Sequence, residues 1–239
     1  MPTISSPGSS GAGPKHDAVD GAPMTTHRFE VVHRAGDAAT LHEFEPPATP
    51  TPTVVVAEAT GAALVLGSTQ PASDADPERA RLGGYEIVRR RSGGGSVWLA
   101  PGGQVWVDIW IPAGDPLWHD DVAKAAVPIG EAWRQALVGL DLGVGLWVHE
   151  GGVAARPWST LVCFAGVGPG EVLDADGRKW VGISQRRTRE WIRLQTMVHR
   201  VWDPVAATDG LGVVPDEWLS QAVGMIGDAD PVPGLIASL

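Results

Sequence analysis

The chain has 239 residues, 44% of them hydrophobic, with a formal net charge of −10 and a mean hydropathy near zero. That is enough chain to bury a core in one large domain or two small ones, and the acidic balance excludes a general nucleic-acid binder, which needs a broad basic face. No apolar run reaches the ~18 residues that a membrane-spanning helix requires.

Residues 1–26 are rich in Ser, Gly and Pro and lack the apolar stretch of a signal peptide. They read as a disordered extension, with Met24 an alternative start, because Arg28–Val32 is the first strand-like segment. Residues 44–53, FEPPATPTPT, form a Pro/Thr linker or an extended edge. Short apolar runs follow at Val54–Val56 and Ala62–Leu66, the second ending in Gly67-Ser68-Thr69-Gln70. Residues 71–79 are turn-like. Ser96–Leu99 and Gln104–Ile111 read as strands about a turn at Pro101-Gly102-Gly103. Both faces of the second are largely apolar, so a central, covered strand is expected.

Residues 118–140 carry Val122, Ala126, Ile129, Trp133 and Leu137 at helical spacing, and Pro128 is expected to kink or split that helix. Val144–His149 and Thr160–Ala165 read as strands. Glu171–Leu173 and Lys179–Ser184 form a hairpin about Asp174-Ala175-Asp176-Gly177. Residues 190–202 fit strand and helix equally, residues 216–226 predict a helix, and the C-terminal tail is short and apolar. No repeat is present. Hairpins with few helices predict an α+β fold with a mixed, largely antiparallel sheet flanked by helices.

Two stretches concentrate the chemistry. In Arg89–Val97, RRRSGGGSV, three cations run into three glycines. Glycines let backbone approach a ligand closely, and guanidinium groups suit carboxylate or phosphate. The segment is either an anion cradle or a surface hairpin turn flanked by solvated arginines. In Gly177–Arg187, GRKWVGISQRR, Lys179 sits beside Trp180 and Val181. It is one of only three lysines in the chain. It could bind an acyl carbonyl or phosphate, or lie on the surface with its stem along its neighbours. Cys163 is the lone cysteine, so no internal disulfide forms, which fits a reducing cytoplasm. Its apolar setting, Leu161–Phe164, reads as an inert buried thiol unless positive charge lies near it. No P-loop, GxGxxG before a helix, GxSxG or HExxH is present. His119-Asp120-Asp121 reads as an exposed helix start rather than a metal site. Trp98, Trp106 and Trp110 are core residues or the border of an apolar slot.

Taken together and in this order, the two stretches resemble the biotin/lipoate protein ligase family, in its lipoate and octanoate branch. The likeness lies in Arg89–Val97, in Gly177–Gln185, and in Gly67–Gln70, which is similar to an earlier Gly-x-x-Gln element. It covers roughly residues 55–200. It implies a catalytic domain over residues 27–239, with a sheet related to class II aminoacyl-tRNA synthetase cores. It also implies attachment of a lipoyl or octanoyl group to a lysine of a lipoyl-domain or GcvH-like acceptor. By that resemblance Lys179 contacts the activated carbonyl or its phosphate. Arg90, Ser92, Gly93, Gly94, Gly95, Val97, Gly182 and Gln185 line the substrate site, and no protein metal site is expected. Two routes are implied. In one, ATP and Mg²⁺ give an acyl-adenylate. In the other, acyl-carrier protein delivers octanoate to a cysteine thioester.

Cys163-Phe164, then Glu171, then Gly177-Arg178-Lys179 look like the cysteine-containing transferases, whereas the Arg-Asn-Asp-like element usual in the ligases is missing. Two departures from the family pattern stand out. Thr196-Met197-Val198 replaces a His-Gly-Ser/Thr element, and Pro101-Gly102-Gly103 replaces a His-Asp pair. A non-catalytic acyl- or adenylate-binding protein is the expectation from another class.

Overall fold

A computed structural model describes residues 28–45 and 51–239. The expected N-terminal extension, Met24, and residues 46–50 of the expected linker lie outside the described residues. Strand β1 (Glu30–Gly36) leads into helix α1 (Ala38–Glu43), whose first turn is capped by the Asp37 carboxylate. Then come β2 (Thr53–Ala59), β3 (Ala63–Leu66), helix α2 (Pro77–Gly83), β4 (Glu86–Arg89) and β5 (Val97–Leu99). Strand β6 (Gln104–Pro112) precedes the long helix α3 (Val122–Val138), β7 (Trp147–Val148), β8 (Val172–Leu173), β9 (Lys179–Arg187) and β10 (Trp191–His199). The chain closes with α4 (Pro204–Asp209), α5 (Glu217–Gln221) and α6 (Val232–Ser238).

Seven strands form one sheet in the order β1-β2-β6-β10-β9-β8-β7, and β4-β3-β5 form a second, smaller sheet. Among the strands of the described residues, β1–β2 and β3–β4 pair in parallel and the other pairs are antiparallel. The expected α+β fold with a mixed, largely antiparallel sheet is therefore the observed one. The β6 alternation sorts its side chains onto two cores. Val107, Ile109 and Ile111 join Ile129, Trp133 and Leu137 of α3 and Leu235 of α6. Trp106 faces the opposite way, with Met197, Phe164, Val65 and Leu99, between the two sheets. The candidate site lies in this second layer.

Several expectations change. Helix α3 runs unbroken through Pro128. A proline in a helix interior costs about 3 kcal/mol, and burial of Ile129, Trp133 and Leu137 offsets it. Of the ambiguous residues 190–202, Trp191–His199 are strand, because β10 pairs with β6 over its whole length and with β9 over Ile192–Val198. Residues 144–149 contribute only the two-residue β7, residues 216–226 only the short α5, and the apolar tail is helical. Thr160–Ala165 is not a strand but a turn followed by a single 3₁₀ turn, Cys163–Ala165. Trp158 has φ 65°, and its carbonyl accepts the amides of both Leu161 and Val162, which folds the chain back on itself.

Candidate active site

The glycine stretch joins β4 to β5, and its arginines are engaged within the chain. Arg89 donates from one guanidinium nitrogen to the carbonyls of Gly67 (2.7 Å) and Gln70 (2.6 Å). Arg90 is buried and donates to the carbonyls of Val65 (3.2 Å), Gly93 (2.6 Å) and Gly95 (2.8 Å). Arg91 and Arg186 share the Glu45 carboxylate, each at 3.0 Å. The guanidinium groups thus set the shape of the loop. The anion cradle read from composition has its arginines committed to carbonyls and to Glu45, and the solvated-arginine reading fails at buried Arg90.

The same stretch holds the cysteine in place. Ser96 donates its amide to the Leu161 carbonyl (2.6 Å) and accepts the Cys163 amide on its own carbonyl (2.8 Å). Its hydroxyl donates to Leu161 as well. The backbones approach so closely that a Cβ at Gly95 would lie 2.7 Å from the Leu161 carbonyl carbon. Gly94, with φ 97°, abuts the thiol: a Cβ there would stand 3.1 Å from Cys163 Sγ. Cys163 is half-buried rather than sealed in a strand, and it faces two cavities.

The first cavity is a narrow apolar slot of about 50 Å³, lined by Val65, Val97, Leu99, Trp106, Phe164 and Met197. Arg90, Gly182 and Gln195 also touch it. The second is an outer groove of about 550 Å³ that borders Gly93, Gly94, Gly95, Glu171, Lys179 and Gln185. Cys163, Ile183 and Ser184 line both, so the thiol sits at their junction. Of the three tryptophans, only Trp106 borders the slot; Trp98 packs edge-on to Tyr85 and Trp110 to Trp191.

Lys179 is 1% exposed, which overturns the surface-lysine reading. The C-terminal segment covers it: its amide and carbonyl pair with Ala222 and Gly224. Its Nζ lies 2.7 Å from Glu171 Oε2 and donates to the Cys163 carbonyl at 2.8 Å, above the Phe164 ring. Glu171 in turn accepts the amides of Gly168 (2.6 Å) and Ile183 (3.1 Å). An ammonium has three protons. The carbonyl and the carboxylate engage two of them, and Lys179 also borders the groove. Gly182 lets Phe164 sit under the strand, since a Cβ there would fall 2.9 Å from the ring. The Gln185 carboxamide borders the groove with neither polar atom partnered.

A model of the lipoyl protein ligase A/B catalytic domain matches residues 38–201, more than half of the chain. The chain belongs to this family. No curated protein matches it in sequence. Among solved structures, protein Ta0514 of T. acidophilum with bound lipoic acid is similar, at 15% identity and TM-score 0.62 over 88% of this chain and 83% of that one. A lipoate-protein ligase A bound with ATP gives the same figures. A bipartite lipoate protein ligase from Thermoplasma acidophilum, described with its E2 lipoyl domain, has 17% identity and TM-score 0.60, covering 88% and 81%. At these identities the likeness is one of fold.

Several residues of this lipoyl ligase domain's site escape sequence reasoning. His42, from α1, enters the slot and places Nδ1 3.1 Å from Gln195 Nε2. The Gln195 Oε1 accepts from Ser92 Oγ (3.3 Å), and Ser92 meets Ser184 (2.9 Å). Of this network only Ser92 and Ser184 lie within recognisable motif segments, and neither His42 nor Gln195 does. Where the family pattern departs, Thr196 donates to the Val107 carbonyl and Met197 lines the slot.

Proposed function

We propose that this protein transfers an octanoyl or lipoyl group to a lysine of a lipoyl-domain acceptor through a thioester on Cys163. The observation that carries this reading is the position of Cys163 at the junction of slot and groove, with buried Lys179 hydrogen-bonded to its carbonyl. The slot takes the aliphatic chain, and Val97 and Gly182 line it. The groove takes the carrier arm on entry and the acceptor lysine afterwards.

In the first step the Cys163 sulfur attacks the carbonyl carbon of an acyl thioester. Negative charge gathers on the carbonyl oxygen, and the unengaged Lys179 proton meets it. The bond to the carrier sulfur breaks, and the carrier leaves as a thiol with the proton that Cys163 gave up. In the second step the neutral amine of the acceptor lysine attacks the Cys163 thioester. The amide forms, the bond to Sγ breaks, and a proton from the amine returns to the sulfur. Glu171, 2.7 Å from Nζ, holds Lys179 in place.

An ATP-dependent ligase is the competing reading, favoured by the likeness to a ligase bound with ATP. The committed arginines weigh against it, since they leave the groove only the Gly93–Gly95 backbone amides and Lys179 to offer to phosphate. Incubation with octanoyl-acyl-carrier protein should give a covalent octanoyl adduct on Cys163 by intact mass. The adduct should be absent in Cys163→Ala and should pass to an added lipoyl domain. Product formed only from lipoate, ATP and Mg²⁺ overturns this in favour of the ligase. Ligand bound under both conditions with no domain modified marks a non-catalytic binding protein.

A further inference from the structure

The apolar slot shares one lining side chain with a neighbouring cavity. Among the described residues His42 alone lines both the slot and that second, partly solvent-exposed cavity of about 310 Å³. That second cavity has a different character, because Glu43, Glu86, Arg89 and Arg91 border it. One imidazole therefore divides an apolar compartment from a charged one. The ring is well fixed. It lies 4.7 Å from the Trp106 ring, tilted by 38°, and Gln195 holds its Nδ1. The Nδ1 accepts from an amide, so the neutral ring carries its proton on Nε2. Burial, with the Arg193 and Arg90 cations nearby, lowers its pKa to about 3 and keeps it uncharged against the apolar wall.

We propose that His42 is the end-stop of the acyl slot, setting the chain length accepted by the volume of its ring. This rests on the slot being the acyl site. A smaller residue would join the slot to the cavity behind it and give a longer chain somewhere to go. Each methylene that takes the place of the ring in the apolar wall is worth about 0.8 kcal/mol, so two of them account for a ~10-fold change, and carbons reaching the charged groups beyond add less.

The test is calorimetric binding of free octanoate, decanoate and dodecanoate, which needs no turnover. Wild type should bind octanoate best. His42→Ala should shift the dodecanoate-to-octanoate affinity ratio by ~10-fold or more toward the longer acid. His42→Phe, which fills the space without the hydrogen bond, should keep the wild-type profile. If the alanine variant does not fold, His42→Ser carries the same expectation as alanine. An unchanged ratio in a folded small-residue variant overturns the end-stop while leaving the acyl slot standing, and so does a shift in His42→Phe equal to that in His42→Ala. Failure of wild type to bind any of the acids overturns the slot reading itself.

Discussion

Two buried ion pairs lie in the large sheet, and they differ in how completely the cation is engaged. Arg193, on β10, donates to Asp108 through Nε (2.9 Å) and again through a terminal nitrogen. It also donates to the carbonyls of His42 (2.7 Å) and Leu41 (3.0 Å), so it ties α1 to the sheet centre. The Trp106 indole adds a further donor to Asp108 at 2.8 Å. Burial pushes the Asp108 pKa up, and Arg193 pulls it back. Lys179 has the same burial but two partners, and it faces a groove. A saturated cation fastens a fold, whereas a cation with a proton left over beside a cavity is equipped for chemistry.

The largest effect should come from breaking the saturated pair. Arg193→Met strands Asp108 in the core and takes donors from two carbonyls of α1, which should cost ~3–5 kcal/mol in urea unfolding. Lys179→Met leaves Glu171 with the amides of Gly168 and Ile183, so its stability loss should be smaller. Acyl transfer by that variant should fall ~10²–10³-fold through loss of charge stabilisation. If the ranking reverses, with Lys179→Met the less stable and Arg193→Met the less active, the distinction between the two pairs is wrong.

The contrast explains what the sequence could and could not reveal. Strand β6 was readable because its apolar residues alternate onto two cores, and the β8–β9 hairpin because Asp174–Gly177 is turn chemistry. Ser92 and the glycines stand in a motif. The burial of Lys179 has no local signature, because Glu171 lies eight residues away and its cover comes from Ala222–Gly224. Thr160–Ala165 reads as strand because it is mostly apolar, yet its partners are Ser96 and the Phe164–His199 stack, not a ladder. His42 and Gln195 meet across 153 residues, a distance that no pattern spans.

A buried base without a carboxylate partner extends the comparison. His199 lies between Phe164 and Trp202, with ring centroids at 4.4 and 5.0 Å. Its Nε2 is unpartnered. Desolvation, then the Lys179 charge, lowers its pKa from 6.5 to about 3. Between those values the unfolded chain binds a proton that the folded chain refuses. Stability is therefore full above pH 6.5 and is lost as pH falls toward 3, at up to ~1.4 kcal/mol per pH unit for this group. His199→Phe fits the same aromatic stack and removes the titration. Denaturation midpoints measured across pH 4–6 should fall less steeply in that variant than in wild type, and parallel curves would show that His199 is protonated inside the fold.

The smallest effect separates shape from contact within the glycine stretch. Gly94 needs its positive φ, and Gly95 touches the Cys163 loop, but a Cβ at Gly93 would meet nothing within 4 Å. Gly93→Ala should therefore leave stability within ~0.5 kcal/mol of wild type. The added methyl would stand on the wall of the groove proposed to take the carrier arm, so any cost should fall on the substrate. A KM for the acyl donor raised ~3–10-fold at unchanged kcat would correspond to about 1 kcal/mol of lost binding. An unchanged KM would place the carrier arm elsewhere in the groove and leave Gly93 only a spacer between Arg90 and the two glycines that the fold requires.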